Sequence, residues 1–401
     1  MIAARTRLAK SRVLTIGGAN VEHSYRLPGP LRPDAKYSTE PQPRLAGGSS
    51  VNHACRLLAL GVPVHPVLPI AKADPMSRLV LEALDAAAET GGVSYTRRDL
   101  TIRGPALSTP FTTILRDGAS RASLNEFSPE LMRRYGEHVG VAPARDPGVA
   151  SPAPRRVVML GHVHADRRPP GRGAPGFSGE LSERILTAPE LASSRKIVNF
   201  GSAQYALGTK RWERILRDEV DVFQLDIGEV RRFCADAELA DLSLESILGW
   251  FRERCTVVVT LERFGAIGQL VGHAEPIAAW PLLIDEVADS TGAGDALGAG
   301  IAASMLVGPF GDESDAAEER LEEFAAALAF GRACGAYACT TIGGASDCPD
   351  LEQLTAFERR TRRPSRDDSA QDRVSRHDLF LDRSRLRPLS PSASQPRPTN
   401  S

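Results

Sequence analysis

The chain has 401 residues, of which 42% are hydrophobic and 25% charged, with a formal net charge of −1 and six cysteines. This length is ample for one large α/β core, and the balanced charge gives no global case for binding nucleic acid or a membrane. The cysteines lack metal-ligand spacing, and the apolar runs at 293–307 and 324–342 are too short, or interrupted by Arg332, to span a bilayer. We therefore expect a cytoplasmic protein with reduced thiols.

Apolar runs and helical patterns alternate along the chain. The run at 13–18 predicts a buried strand that ends at a glycine turn. The other predicted strands are 62–70, 156–160, 196–200, 220–225 and 256–261. The predicted helices are 77–89, 212–217, 244–254 and 318–338. This alternation predicts an α/β fold with a mainly parallel sheet, helices on both faces and ligands at the C-terminal ends of the strands.

Two segments interrupt this alternation. Residues 21–45 are polar and rich in proline, whereas 106–127 contain a stretch of high β propensity followed by the hairpin signal Asp117-Gly118. From the residues alone, these segments are a loop and a surface hairpin.

A glycine pair precedes a helical pattern in the segment Arg44-Leu-Ala-Gly-Gly-Ser-Ser-Val-Asn52-His-Ala-Cys-Arg-Leu-Leu-Ala-Leu-Gly61. Gly47 and Gly48 allow the backbone to approach a polyhydroxylated ligand, and Asn52 offers donors and acceptors to its hydroxyls. An ordinary glycine turn before a helix is the alternative interpretation of this segment taken alone.

Polar residues also follow two of the predicted strands. His162 and His164 come directly after the strand at 156–160, and a polar loop runs from Asn199 to Gln204. Because no further ligands lie at suitable spacing, we expect ordinary strand-end histidines and no metal site here.

The most informative segment is Asp289-Ser-Thr-Gly-Ala-Gly-Asp295, which runs directly into small apolar residues typical of a buried helix. A helix N-terminus carries unpaired N–H groups and partial positive charge, and Gly292 and Gly294 let an anion approach the backbone. A carboxylate repels phosphate, so Asp295 at this position indicates a base that removes a proton from an attacking hydroxyl. An anion site with an adjacent base is the apparatus of phosphoryl transfer; a simple helix N-cap is the alternative interpretation of Asp295.

The composition changes near residue 359. From there to residue 401 the chain has eleven arginines, five aspartates and few large apolar residues. Such a segment cannot bury enough surface to fold alone, so we expect a solvated, disordered extension. Contact of this basic tail with nucleic acid or acidic lipid is the alternative, but the tail lacks aromatic residues between its charges and has no dense basic run.

The two glycine segments, in this order and separation, resemble the signature motifs of the ribokinase-like (pfkB) carbohydrate kinases over residues 12–355. The resemblance implies a three-layer α/β/α fold in which 21–45 and 106–127 form a small β lid that closes over a sugar and excludes water. Residues 1–11 would be an N-terminal extension and 356–401 an Arg/Ser/Pro-rich tail. Asp295 would be the catalytic base, and the anion hole would comprise the backbone N–H groups of Gly292, Ala293 and Gly294.

The resemblance also implies the other site residues. The residues expected to contact the acceptor are Asn20, Glu22, Gly47, Gly48 and Asn52. Those expected to contact the nucleotide are Thr260, Gly265, Gly343 and Gly344. Asp226 and Glu229 would hold Mg²⁺ through water near the phosphates of ATP, with an N-terminal acidic helix cap as the alternative. Asp289 and Thr291 would help to bind a monovalent cation such as K⁺, with an ordinary polar turn as the alternative.

Three positions depart from the family pattern. Glu22 stands where relatives carry aspartate, Asp226 where they carry asparagine, and Glu262 where they usually carry glycine. These departures leave open an impaired reaction, and they motivate the alternative of a catalytically weak homologue that binds a sugar or a nucleotide.

The leading hypothesis from the sequence is an ATP-dependent kinase that phosphorylates a hydroxyl of a small sugar or related polyol, as a monomer or homodimer. A nucleoside kinase of the same fold is the nearest alternative. The acceptor stays open because it depends on lid and pocket side chains that the sequence does not place.

Overall fold

The computed structural model describes residues 11–32, 34, 36–40, 42–97, 100–104, 106–116, 121–139, 156–163, 179–199, 201, 204–307 and 317–361. The strands are β1 (Arg12–Ile16), β2 (Asn20–Arg26), β3 (Arg44–Gly47), β4 (Val64–Val67), β5 (Phe111–Arg116), β6 (Arg121–Glu126), β7 (Arg156–Leu160), β8 (Arg195–Asn199), β9 (Val222–Asp226), β10 (Thr256–Thr260), β11 (Ala266–Gln269) and β12 (Ile277–Ala279). The helices are α1 (Ser49–Ala59), α2 (Pro75–Gly91), α3 (Pro129–Val139), α4 (Glu180–Leu186), α5 (Thr209–Glu219), α6 (Ile227–Asp236), α7 (Leu244–Arg252), α8 (Ala293–Val307), α9 (Ala317–Ala338) and α10 (Leu351–Thr361).

Eight of these strands form a central sheet in the order β12-β11-β10-β9-β8-β7-β1-β4. All neighbours from β10 to β4 are parallel, and β11 and β12 add an antiparallel edge. Consecutive residues of the parallel strands are buried, as expected of strands that have helices on both faces. The predicted α/β fold with a mainly parallel sheet is therefore confirmed.

The predicted elements differ from the observed ones mainly at their ends. The strand predicted at 62–70 is only Val64–Val67 and lies at the edge of the sheet. Pro66 has no backbone N–H, and an edge strand tolerates this because one of its sides pairs with no further strand. The helix predicted at 212–217 runs from Thr209 to Glu219. The prediction is too short because the charged residues at both ends of this helix hide its apolar periodicity. The edge strands β11 and β12 are too short for their periodicity to be recognised in the sequence.

The chain reverses its direction across the sheet at β1, which lies between β4 and β7. Gly161, directly after β7, donates its backbone N–H to the carbonyl of Ile16 at the end of β1, with an N···O distance of 2.8 Å. The carboxyl ends of β1 and β7 thus meet at the point where the strand order reverses. In open α/β sheets this point is where ligands bind.

A second, four-stranded sheet has the order β3-β2-β5-β6. Strand β2 pairs in parallel with β5, from Val21 opposite Phe111 to Arg26 opposite Arg116, and β5 pairs antiparallel with β6. The small β lid expected from segments 21–45 and 106–127 is confirmed as a separate sheet. The Asp117-Gly118 hairpin signal between β5 and β6 lies outside the described residues.

Helix α8 follows the glycine-rich segment and is buried on nearly all sides from Ala296 to Leu306. It packs against α9 and α1. Its alanines and glycines leave room for these neighbours to pack closely around it. The first turn of α8, which carries Asp295, is therefore held by the interior of the protein.

The last described helix, α10, ends at Thr361, six residues beyond the boundary of 355 expected from the sequence. Phe357 is buried, and its ring packs edge-on against Tyr337 of α9 with centroids 5.2 Å apart. Helix α10 therefore continues past the boundary expected from the sequence, and residues 1–10 and those from 362 onward lie outside the described residues. None of the helices in the described part of the chain combines the length and apolar character needed to cross a membrane.

We predict that Phe357→Ala lowers the free energy of unfolding by about 3 kcal/mol, because it removes a buried aromatic side chain and leaves a cavity between α9 and α10. Guanidinium unfolding of the full chain measures this change. Glu352→Ala, at an exposed position of the same helix, should change the free energy by less than about 0.5 kcal/mol. Equal effects of the two substitutions would show that α10 is not docked.

Candidate active site

The glycine turn before α8 brings three distant segments of the chain together. Gly292 has a φ of +76°, in the left-handed region that favours glycine. A Cβ at this position would lie 2.5 Å from Gly344 Cα and 3.2 Å from Asn52 Nδ2. Only glycine therefore permits the contact between the two predicted motifs and the Gly343-Gly344 loop.

Asp295 lies in the first turn of α8, where backbone N–H groups lack helical partners. Its side chain is 16% exposed, and Asn52 donates a hydrogen bond from Nδ2 to Asp295 Oδ2 with a distance of 2.7 Å. Burial raises the pKa of Asp295 above its ordinary value, although the Asn52 hydrogen bond favours the ionised form. The site therefore contains a desolvated carboxylate held by a neutral amide.

Two histidines flank this carboxylate. The Nε2 atom of His53 lies 3.4 Å from Asp295 Oδ1, but burial lowers the pKa of His53 to about 3. His53 is therefore neutral near pH 7, and the contact is not an ion pair. Burial also lowers the pKa of His162, which is close enough to interact electrostatically with Asp295; its backbone N–H donates to Ser49 Oγ at 3.0 Å. His164 lies outside the described residues.

The predicted acceptor residues meet where the lid joins the central domain. A Cβ at Gly47 would lie 2.5 Å from the carboxyl carbon of Glu22, so this glycine lets the Glu22 side chain lie against the backbone of β3. Gly48 is the N-cap residue of α1. Asn20 donates to Thr112 Oγ1 on lid strand β5. The structure thus places Asn20, Glu22, Gly47 and Gly48 at one junction, next to the helix that carries Asn52.

Two of the residues predicted to bind the nucleotide lie at or just beyond the end of β10. Thr260 is the last residue of β10 and lies in register with Asp226, the last residue of β9. Gly265 follows the single 3₁₀ turn Glu262–Phe264. Glu262 itself has a φ of +53°, in the left-handed region that favours glycine, the residue expected at this position from the resemblance. The other two, Gly343 and Gly344, lie in the loop against the Gly292 turn.

Asp226 and Glu229 form a capping box at the start of α6. Asp226 Oδ1 accepts from the Glu229 N–H at 2.7 Å, and Glu229 Oε2 accepts from the Asp226 N–H at 3.1 Å. The acidic cap that the sequence offered as an alternative is therefore present. Burial, followed by the charge of Asp226, raises the pKa of Glu229 to about 7, and the charge of Asp295 adds to this rise.

No group of three or more His, Cys, Asp or Glu side chains suited to holding a metal ion occurs within the described ranges. The carboxylates of Asp226 and Glu229 nevertheless repel each other. This donor set fits a divalent cation held through water, because such a cation would relieve the repulsion.

The monovalent-cation site expected at Asp289 and Thr291 is not supported, because Arg116 of the lid lies there. Arg116 Nη1 lies 2.8 Å from Asp289 Oδ1, and its Nη2 donates to Asp289 Oδ2 at 3.0 Å and to Thr291 Oγ1 at 2.9 Å. The Arg116 guanidinium thus binds the same side-chain oxygens that a K⁺ ion would need as ligands. The residues present do not fit a bound monovalent cation.

Besides His53, two further buried polar side chains of the site have no counterpart in the sequence analysis. Gln224, in β9, donates from Nε2 to the carbonyl of Gly294 at 2.7 Å and so fixes the start of α8. Arg56, in α1, is buried and donates from Nη2 to the carbonyl of Gly344 at 3.2 Å. The available signal was a polar residue inside an otherwise apolar strand or helix face.

The raised pKa of Glu229 predicts a pH-dependent stability. Its pKa in the folded protein, about 7, exceeds the ordinary value of 4.5, so the folded state favours protonated Glu229. The contribution of Glu229 to the free energy of unfolding is therefore fully present below pH 4.5 and is lost as the pH rises through 7. Glu229→Gln keeps a side chain that completes the capping box but removes the titration. The difference in free energy of unfolding between the variant and the wild type should be more favourable to the variant at pH 8 than at pH 5. Urea unfolding without Mg²⁺ measures this difference at each pH.

Glu245→Gln, at an exposed position in the first turn of α7, is the matched control and should show no such gain. If Glu229→Gln changes stability equally at both pH values, Glu229 ionises as an ordinary glutamate and the argument from its burial is wrong.

No protein-family model and no curated protein sequence matches the chain. Solved structures match it over most of their length. Ribokinase from Giardia lamblia superposes with a TM-score of 0.64 at 14% identity, covering 86% of this chain and 99% of that one. Nucleoside kinase from Methanocaldococcus jannaschii, an archaeal member of the ribokinase family, gives 0.62 at 12%, covering 87% and 98%. Ribokinase from Arabidopsis thaliana, complexed with ribose and ATP, gives 0.57 at 18%, covering 86% and 98%. The chain therefore has the ribokinase-like α/β fold.

Proposed function

We propose that the protein is a carbohydrate kinase of the ribokinase-like family, transferring the γ-phosphoryl group of ATP to a hydroxyl of a small sugar or related polyol. The observation that carries the proposal is the largely desolvated carboxylate of Asp295, in the first turn of α8 and directly after the glycine turn. An anion site and a base within one helical turn are the two parts that this chemistry needs.

In the proposed reaction, Asp295 accepts the proton of the acceptor hydroxyl as the oxygen attacks the γ-phosphorus and the bond from phosphorus to the β,γ-bridging oxygen of ATP breaks. Burial raises the pKa of Asp295 and so favours proton uptake, while the hydrogen bond from Asn52 keeps the carboxylate oriented. The backbone N–H groups of residues 292–294 stabilise the charge on the transferred group. Gln224 fixes Gly294 for this task.

We assign Asp226 and Glu229 to Mg²⁺, held through water. The ion would neutralise charge on the ATP phosphates, as in other phosphoryl transfers. Both residues lie at the carboxyl end of β9, and the charge of Asp295 influences the pKa of Glu229. Thr260 and Gly265, at the end of the neighbouring strand, would contact the nucleotide.

The lid junction is the proposed acceptor site. Asn20, Glu22 and Asn52 offer carboxylate and amide groups that match sugar hydroxyls. Solved structures of this fold include a ribokinase with ribose and ATP and a nucleoside kinase from Burkholderia thailandensis with inosine, so a nucleoside is the second acceptor class. We place the catalytic domain between residues 12 and 361, in a cytoplasmic protein whose basic tail takes no part in the chemistry.

A screen of the full chain with Mg-ATP against sugars, polyols and nucleosides, followed by ADP release, tests the function. Turnover that requires a sugar or polyol supports the proposal. Turnover only with nucleosides would show that the acceptor is a nucleoside and not a sugar or polyol. Ligand binding without turnover would establish the alternative of a catalytically weak homologue.

Asp295→Asn is expected to lower kcat by roughly 10²–10⁴-fold while ATP binding and the fold persist, because the amide cannot accept the proton. Steady-state kinetics and calorimetric titration with ATP measure the two effects. Asp218→Asn, at an exposed position of α5, removes the same charge and should leave kcat unchanged. Near-normal turnover of Asp295→Asn would refute the base assignment.

Asn52→Ala should move the acidic limb of the kcat/KM profile to higher pH. The reason is that Asn52 stabilises the ionised form of Asp295, and without it the pKa of Asp295 rises further. The profile is measured with saturating ATP. If the limb stays in place and only the acceptor KM rises, Asn52 acts on the acceptor, as the sequence indicated, and not on the base.

A further inference from the structure

Arg116 reaches from the lid to the turn that precedes the anion hole. It is the last residue of β5, and its guanidinium forms a two-pronged contact with Asp289 that also includes Thr291. Asp289 and Thr291 lie one to three residues before Gly292. The side chain of a lid residue is thus part of the support of the helix start that carries Asp295.

The Asp289 side chain is only 4% exposed, whereas that of Arg116 is 28% exposed. Burial alone would raise the pKa of Asp289, but the hydrogen bonds from Arg116 and Thr291 outweigh it and hold the pKa below its ordinary value. Asp289 is therefore charged, and its charge is balanced inside the protein by one guanidinium. Removing the cation would leave a buried carboxylate without a counter-ion.

Both oxygens of Asp289 are engaged. Oδ1 also accepts from the backbone N–H of Thr291 at 2.9 Å, and Oδ2 accepts from the backbone N–H of Gly343 at 3.2 Å. The carboxylate therefore ties together the two backbone segments that approach each other at Gly292 and Gly344. Its position depends on the cation that balances it.

We propose that Arg116 is a built-in cation that holds the Asp289–Thr291 turn in place, makes the site independent of monovalent metal ions, and couples the lid to the anion hole. The planar guanidinium meets both carboxylate oxygens through directed N–H hydrogen bonds, which fix the orientation of the carboxylate as well as balancing its charge. Because the charge is covalently attached to β5, its presence at the turn depends on the position of the lid and not on the salt composition. Arg116 is a positioning residue, and its effect on turnover rests on the proposed kinase function.

Thermal unfolding of the full chain in KCl and in tetramethylammonium chloride, at equal ionic strength, tests the proposal without any assay of activity. The wild type should have the same Tm in both salts. Arg116→Ala should lose about 5 °C or more in tetramethylammonium chloride and recover part of that loss in KCl, because K⁺ can then approach Asp289. A K⁺-specific rise in the wild-type Tm, or an unchanged Tm for Arg116→Ala in both salts, would overturn it.

Arg26→Ala is the matched control, since Arg26 lies beside Arg116 in register on β2 and is exposed. It removes the same charge from the same sheet and should show neither the loss nor the K⁺ response. Arg116→Lys provides a second test if Arg116→Ala does not fold, because lysine keeps the positive charge but cannot bond to both carboxylate oxygens as the planar guanidinium does. This variant should give an intermediate Tm without a K⁺ response. A K⁺ response in Arg116→Lys would contradict the proposal.

Turnover supplies a separate comparison. Wild-type kcat should be equal in the two salts, whereas that of Arg116→Ala should be about 5-fold or more higher in KCl. A wild type that has no kinase activity refutes the proposed function but leaves the unfolding experiment valid. A wild type that is active only in KCl refutes the built-in cation and leaves the kinase function intact.

Discussion

The close approach of the Gly292 turn, the Gly344 loop and the amide of Asn52 is the constraint on which the candidate site depends. A single Cβ at Gly292 would collide with the backbone of the opposite loop, so the three segments can meet only because glycine is present at the contact. Their meeting puts Asn52 within hydrogen-bond distance of Asp295. The interior position of α8 holds this arrangement in place relative to the rest of the domain, because a helix buried on nearly all sides has little freedom to shift.

Two carboxylates of the same short segment, buried Asp289 and partly buried Asp295, have pKa values shifted in opposite directions. Asp295 has a neutral amide as its hydrogen-bond partner, so desolvation dominates and its pKa rises. Asp289 has a guanidinium, so its pKa falls despite burial. Environments that separate the pKa values of neighbouring acids are typical of sites in which one acid handles protons and the other keeps a constant charge. The roles proposed for Asp295 as the base and for Asp289 as a constant charge follow this pattern.

Two of the departures from the family pattern have local structural explanations. Asp226 is the N-cap residue of α6, a position at which aspartate and asparagine serve almost equally well. Glu262 adopts the left-handed conformation at a cost of about 1–2 kcal/mol, and its exposed side chain lies outside the core. Neither residue disturbs the glycine contact at Gly292. The departures thus affect the electrostatics and backbone strain near the proposed nucleotide residues more than the geometry of the proposed base.

The sequence by itself determined the alternation of strands and helices, the mainly parallel sheet, the two lid segments and the glycine segment that carries Asp295. These features depend on local periodicity and on residues whose backbone preferences act at short range. Only the tertiary structure decided which side chains meet. It placed Asn52 on Asp295, added His53, Arg56 and Gln224 to the site, showed a capping box at Asp226, and put Arg116 where a monovalent cation was expected. The physical reason is that partners such as Arg116 and Asp289, 173 positions apart, are joined by the packing of two sheets and a helix, and no local pattern in the chain records that packing.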